Sequence, residues 1–263
     1  MWEEPPISGM NGSGTVFFTG CPLHCVFCQN HNIADGTNGV AISVDELCAI
    51  FLKLQKMGAH NINLVTATHF VPDVVSAINR AKENGLAIPI VYNTSGYETV
   101  ETLRMLDGVV DVYLPDFKYV SENLSAKYSN AKDYFDVASK ALSEMFRQVG
   151  TPRFEDDLIK KGVVVRHLIL PGCTDDSKEV IDYLYRTYGD DIFISIMNQY
   201  TPLSTQLARY PELDRTLSDT EYDEVVDFAV ELGITNAFVQ EGAAAAESFI
   251  PDFENWDKEE FLK

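Results

Sequence analysis

The sequence predicts an α/β protein built on a parallel sheet, and three observations lead there. Short, β-rich apolar runs recur along the chain, amphipathic helical stretches separate them, and 263 residues with 46% apolar content suffice for one large core. The runs lie at 15–19, 62–66, 88–92, 109–114, 163–170, 192–197 and 236–240. Strict alternation of this kind implies right-handed crossovers and gathers functional groups at the C-terminal ends of the strands.

The first helix opens on the capping box Ser43-Val-Asp-Glu46 and carries Val44, Leu47, Ile50, Phe51, Leu54 and Met57 at helical spacing before Gly58. Further helices are expected over 74–84, 134–149 and 178–188, stopped by Gly85, Gly150 and Gly189. A last one follows the box Ser218-Asp-Thr-Glu221. The stretches 120–131, 151–161 and 198–217 read as long polar connections. Of these, 151–161 is expected at the surface and 198–202 at the site. One domain over 1–263 is the expected organisation, with a loop at 20–30 and an extension from about 241.

A net charge of −20 argues against a polyanionic partner, because tracking a phosphate backbone needs clustered Lys and Arg. Residues 1–6 have no basic or apolar leader character, and no apolar run reaches about 18 residues. With five cysteines, an odd number, this points to a reducing cytoplasm where crowded thiols bind metal. Three of the five form Cys21-Pro-Leu-His-Cys25-Val-Phe-Cys28, spaced C-x3-C-x2-C directly after an apolar run. No fourth cysteine is near, so a cubane with one open iron fits the donor set. A structural zinc site would have to recruit His24 or His31. Cys48 falls on the apolar face of the first helix as a small hydrophobe, and Cys173 stands without a base partner.

The C-x3-C-x-aromatic-C pattern, with Phe27 as the aromatic residue, resembles the signature of the radical S-adenosylmethionine (SAM) superfamily. Trp2-Glu-Glu-Pro-Pro-Ile-Ser-Gly9 and Asn11-Gly-Ser-Gly-Thr-Val-Phe-Phe-Thr-Gly-Cys21 are similar to the branch related to pyruvate formate-lyase activating enzyme. The similarity continues through Asn93-Thr-Ser-Gly-Tyr97, Leu114-Pro-Asp-Phe-Lys118, Arg147-Gln-Val-Gly150 and Arg166-His-Leu-Ile-Leu-Pro-Gly172. The resemblance implies an incomplete parallel (β/α)6 TIM-type barrel. It implies a [4Fe–4S] cluster on Cys21, Cys25 and Cys28, with SAM on the fourth iron. Reductive cleavage of SAM would then give a 5′-deoxyadenosyl radical that takes a hydrogen atom from the substrate. In this branch the substrate is a glycine of a partner glycyl radical enzyme, and reduced flavodoxin or ferredoxin donates the electron. Radical modification of a small molecule or peptide is the second reading, and a zinc-stabilised non-catalytic binding module is the third.

Residue by residue, the resemblance puts Phe27 near the adenine. Asn93 and Thr94 fall near the ribose and a monovalent cation, where activating enzymes carry Asp-Thr. Asp116 and Lys118 match an Asp-x-Lys strand end, and Arg166 matches an arginine that meets the SAM carboxylate. His167, its strand neighbour, is expected to point to the other side and to tolerate change. The chain departs from the superfamily after the second strand, where Thr66-Ala-Thr68 replaces a common Gly-Gly-Glu. Thr66 and Thr68 are expected to offer hydroxyls and carbonyls to the SAM amino group instead. A cysteine-bearing segment common upstream of the Trp-Glu-Glu run is also expected to be missing.

Overall fold

The computed structural model describes residues 4–202, 207, 209–240, 261 and 262. Seven parallel strands carry the fold: β1 (Gly14–Phe17), β2 (Ile62–Val65), β3 (Ile90–Thr94), β4 (Val112–Pro115), β6 (Leu158–Leu168), β7 (Phe193–Met197) and β8 (Ala237–Val239). They neighbour one another in that order. β1 pairs with β2 and β8 pairs with β7, so among the described residues the sheet stays open between its two edges. Six strands were expected to make the barrel. The seventh is the short run around 237–239, which joins the edge of β7. The expected extension from about 241 lies outside the described residues.

Helices α3 (Val44–Lys56), α4 (Val71–Glu83), α7 (Tyr134–Val149), α8 (Thr174–Tyr188) and α9 (Asp219–Leu232) match the predicted amphipathic stretches. Both predicted capping boxes are formed, at Ser43/Glu46 and at Ser218/Glu221. The apolar faces of these helices pack against the outer side of the sheet in the main core. A smaller core of Ile7, Val91, Val112, Leu114, Ile159 and Val164 fills the concave side. Ile7 belongs to a short N-terminal helix, α1 (Pro5–Ser8), whose carbonyl accepts a 2.7 Å hydrogen bond from Asn61 Nδ2. The segment thus packs against β3, β4 and β6 and is tied to the start of β2.

Two of the three expected connections are structured. Within 120–131 the chain forms α6 (Glu122–Ser129), capped by the Ser121 hydroxyl. Within 151–161 it forms β5 (Arg153–Glu155), antiparallel to the start of β6, around a turn at Asp156 and Asp157 with φ of 50° and 63°. That hairpin strand is exposed, as expected of a surface segment. Two further short helices are α2 (His31–Ala34) and α5 (Val100–Arg104).

Candidate active site

The C-terminal ends of the strands open into one cleft of about 390 Å³. Its wall includes Cys21, Cys25, Cys28 and Phe27 from the loop after β1, Thr66 after β2, Asn93 and Thr94 on β3, and Asp116 and Lys118 after β4. Arg166 of β6 completes the predicted set on that wall. Thr68 does not join them. It is turned into the helical layer, where its hydroxyl donates to Glu98 Oε1 at 2.9 Å.

The cysteine loop is pinned at both ends. Gly20 N–H and Cys21 N–H donate to the carbonyls of Ile33 and Ala34 in α2, and Gln29 Nε2 donates to the Gln199 carbonyl at 2.9 Å. Gln199 lies in the stretch expected at the site and lines the cleft. Its neighbour Tyr200 packs against Phe27 with ring centroids 6.2 Å apart. Burial pushes the Cys21 thiol up to about 11 and the Cys28 thiol up to about 12, and raises Cys25 as well. Without a cation these thiols stay protonated; a metal centre would displace the protons.

The donor set distinguishes a cluster from a single ion. Among the described residues, no three His, Cys, Asp or Glu side chains surround one ion position, and the exposed His24 and His31 are not on the cleft wall. Three thiols on one cleft, with no His beside them on its wall, are the donor set of a centre that leaves one iron open. A structural zinc site would need a fourth Cys or His ligand, and neither His24 nor His31 lines the cleft.

After β4, Lys118 Nζ and Asp116 Oδ2 form an ion pair at 2.5 Å that is largely shielded from solvent. Burial would lower the lysine, but the charges of Asp116 and Cys25 outweigh it and raise it overall. The backbone here is held by Tyr134, whose hydroxyl donates to the Ser95 and Asp116 carbonyls at 2.9 and 3.1 Å and accepts from Lys118 N–H at 3.0 Å. Gly96 has φ of 77°, and a Cβ there would stand 2.2 Å from the Asp116 carbonyl oxygen. The motif Asn93-Thr-Ser-Gly-Tyr97 thus needs its glycine so that the β3 loop can lie on the β4 loop.

Arg166 is already engaged. Its Nε and Nη2 donate to the two carboxylate oxygens of Glu4 at 2.9 and 2.7 Å, a two-pronged pair with side chains 13% and 6% exposed. Burial would raise the Glu4 carboxyl, but Arg166, with a hydrogen bond from Ser195, holds it below its usual range. His167 does point to the other side, where it is buried and its Nδ1 lies 2.8 Å from the Phe117 carbonyl. The expectation that it tolerates change assumed an open face. Burial, against the Phe117 hydrogen bond, lowers its pKa to about 4, so it sits there neutral.

Behind Asn93 and Thr94 lies a carboxylate that sequence reasoning passed over. Glu98 is buried, accepts from the hydroxyls of Thr94 and Thr68, and leaves Oε2 without a hydrogen-bond partner. Burial raises its pKa to about 7. The turn at Thr66 is also unusual, with φ of 58° and ψ of 42°, a left-handed conformation that glycine adopts freely and a β-branched residue rarely does. That is where the superfamily commonly has glycine.

An open parallel barrel with three thiols at its mouth defines a class of enzyme that builds a metal cluster over the strand ends. The chain belongs to the radical SAM superfamily, whose family model matches residues 15–184. That membership brings a [4Fe–4S] cluster and SAM as cofactors. An uncharacterized protein of Methanocaldococcus jannaschii is 30% identical over 226 residues, covering 82% of this chain. The chain spans 62% of that relative's length. Among solved structures, the FeFe-hydrogenase maturase HydG from Carboxydothermus hydrogenoformans aligns with TM-score 0.60 at 13% identity over 87% of this chain and 53% of its own. Methylornithine synthase (PylB) aligns with TM-score 0.57 at 15% identity over 93% and 77%. SuiB of Streptococcus suis bound to S-adenosylmethionine aligns with TM-score 0.55 at 12% identity over 87% and 50%. At such identities these structures share the fold alone. No helix among the described residues is long and apolar enough to cross a membrane.

Proposed function

We propose that this chain cleaves SAM reductively in order to abstract a hydrogen atom, and that the hydrogen comes from a glycine of a partner polypeptide. The observation that carries the first part is the gathering of Cys21, Cys25 and Cys28 with the polar strand ends Asn93, Thr94, Asp116, Lys118 and Arg166 on one cleft. When bound, the cluster supplies the electron that breaks the C–S bond of SAM.

The chain's own residues have separable tasks. The three thiolates hold the cluster, Phe27 offers an apolar face to the adenine, and Thr66 offers its hydroxyl and carbonyl to the amino group. Asn93 and Thr94 offer hydrogen bonds to the ribose, beside a monovalent cation. Asp116 and Lys118 add a paired charge beside the sulfurs. Arg166 supplies the guanidinium that would meet the SAM carboxylate, next to its ion pair with Glu4.

The partner part rests on the runs similar to activating enzymes, Trp2–Gly9 and Asn11–Cys21 above all. Reduced flavodoxin or ferredoxin fits as the electron donor. The test is anaerobic incubation of the reconstituted protein with SAM, a reductant and candidate glycyl radical enzymes. A glycyl radical signal by electron paramagnetic resonance, with stoichiometric 5′-deoxyadenosine, supports the reading. Release of 5′-deoxyadenosine coupled to conversion of a small molecule, with no radical on any polypeptide, overturns the partner assignment.

A further inference from the structure

The last turn of α6 brings a hydroxyl onto one of the three sulfurs. Val26 N–H donates to the Tyr128 carbonyl at 2.9 Å, which docks the cysteine loop on the helix end. One residue further, Ser129 Oγ lies 3.0 Å from Cys25 Sγ and 2.9 Å from the Tyr119 hydroxyl. Ser129 and Tyr119 are each 1% exposed, so bulk water does not substitute for either contact.

A thiol at Cys25 could donate or accept. A metal-bound thiolate has no proton and only accepts. Ser129 then has to donate to the sulfur, and its lone pair is left to receive the Tyr119 O–H, which gives the relay one direction, Tyr119 to Ser129 to Cys25. The sulfurs of Cys21 and Cys28 face backbone groups of Leu23 and Asn30 instead. Hydrogen bonds to ligating sulfurs are one of the levers that set an iron–sulfur potential. Reduction adds negative charge to the cluster, so a donor at a sulfur stabilises the reduced state more than the oxidised one.

We propose that Ser129, backed by Tyr119, raises the reduction potential of the cluster held by Cys21, Cys25 and Cys28. The inference rests on the cluster reading above. Both residues act through the Cys25 sulfur and are positioning residues. The electron comes from an external donor; within the relay no covalent bond changes and both protons stay on their oxygens.

The test is a redox titration of the reconstituted full chain without SAM, followed by the paramagnetic signal of the reduced cluster, after iron analysis of each variant. At the wild-type midpoint, Ser129→Ala should show a reduced-to-oxidised ratio about threefold lower or less. Tyr119→Phe should shift the ratio in the same direction by a smaller factor, and Ser129→Thr, which keeps the hydroxyl, should restore most of it. If Ser129→Ala does not load iron, Tyr119→Phe decides. An unchanged or raised midpoint in a fully loaded Ser129→Ala or Tyr119→Phe overturns the relay while leaving the cluster standing. A wild-type chain that takes up no iron fails the cluster reading itself.

Discussion

Removing the guanidinium of Arg166 leaves the Glu4 carboxylate buried with no cation beside it. Breaking a buried pair from one side costs about 3–5 kcal/mol, so Arg166→Ala should lose about that much in urea unfolding, whatever it does to SAM. Exchanging both partners, as Glu4→Gln with Arg166→Met, should recover most of the loss. An Arg166→Ala variant that unfolds at the wild-type urea midpoint would show that the pair has no structural weight. Glu98 makes a second residue-scale prediction. Its folded pKa of about 7 lies above the ordinary 4.5, so the native state holds its proton more tightly. The associated stability is complete below about pH 4.5 and is lost as the pH rises through 7. The difference in unfolding free energy between wild type and Glu98→Gln should therefore fall across that window, by up to about 1.4 kcal/mol per pH unit. A flat difference would contradict a protonated buried carboxyl. The cysteines and the strand-end residues Asn93, Asp116 and Arg166 were legible because their types and spacing signal chemistry. Glu4, Glu98 and Ser129 were not, since only the fold carries them to the site from 4, 98 and 129.

Loops at the strand ends hold the site in register, and their weakest tolerance is at Gly96. An alanine there meets the Asp116 carbonyl at 2.2 Å in a left-handed backbone. Gly96→Ala should cost about 2–4 kcal/mol and separate the β3 and β4 loops; thermal unfolding measures it, and a wild-type melting temperature would refute the close approach. The seven strands and five long helices announced themselves by apolar period. The elements that did not are short or polar. α1 has four residues and is fixed by the burial of Ile7. α6 has little apolar periodicity, and its end is fixed by the Val26–Tyr128 and Cys25–Ser129 contacts. The β5 hairpin turns on Asp156-Asp157, a weaker signal than Asn-Gly for a turn with two positive φ values.

As a whole, the molecule gathers three cysteines and the polar strand ends at one end of an open parallel sheet, with residues 5–8 packed against that sheet. A net charge of −20 is the wrong sign for tracking a phosphate backbone. Everything functional in this account depends on one centre at Cys21, Cys25 and Cys28. The most direct measurement is iron, sulfide and zinc analysis of the anaerobically reconstituted full chain beside Cys25→Ala, with 5′-deoxyadenosine release from SAM and circular dichroism as the folding control. The wild type should hold about four irons and cleave SAM, while Cys25→Ala should stay folded without an intact cluster or SAM cleavage. A colourless wild type with one zinc per chain, or a Cys25→Ala variant that keeps full iron and cleaves SAM, would contradict it.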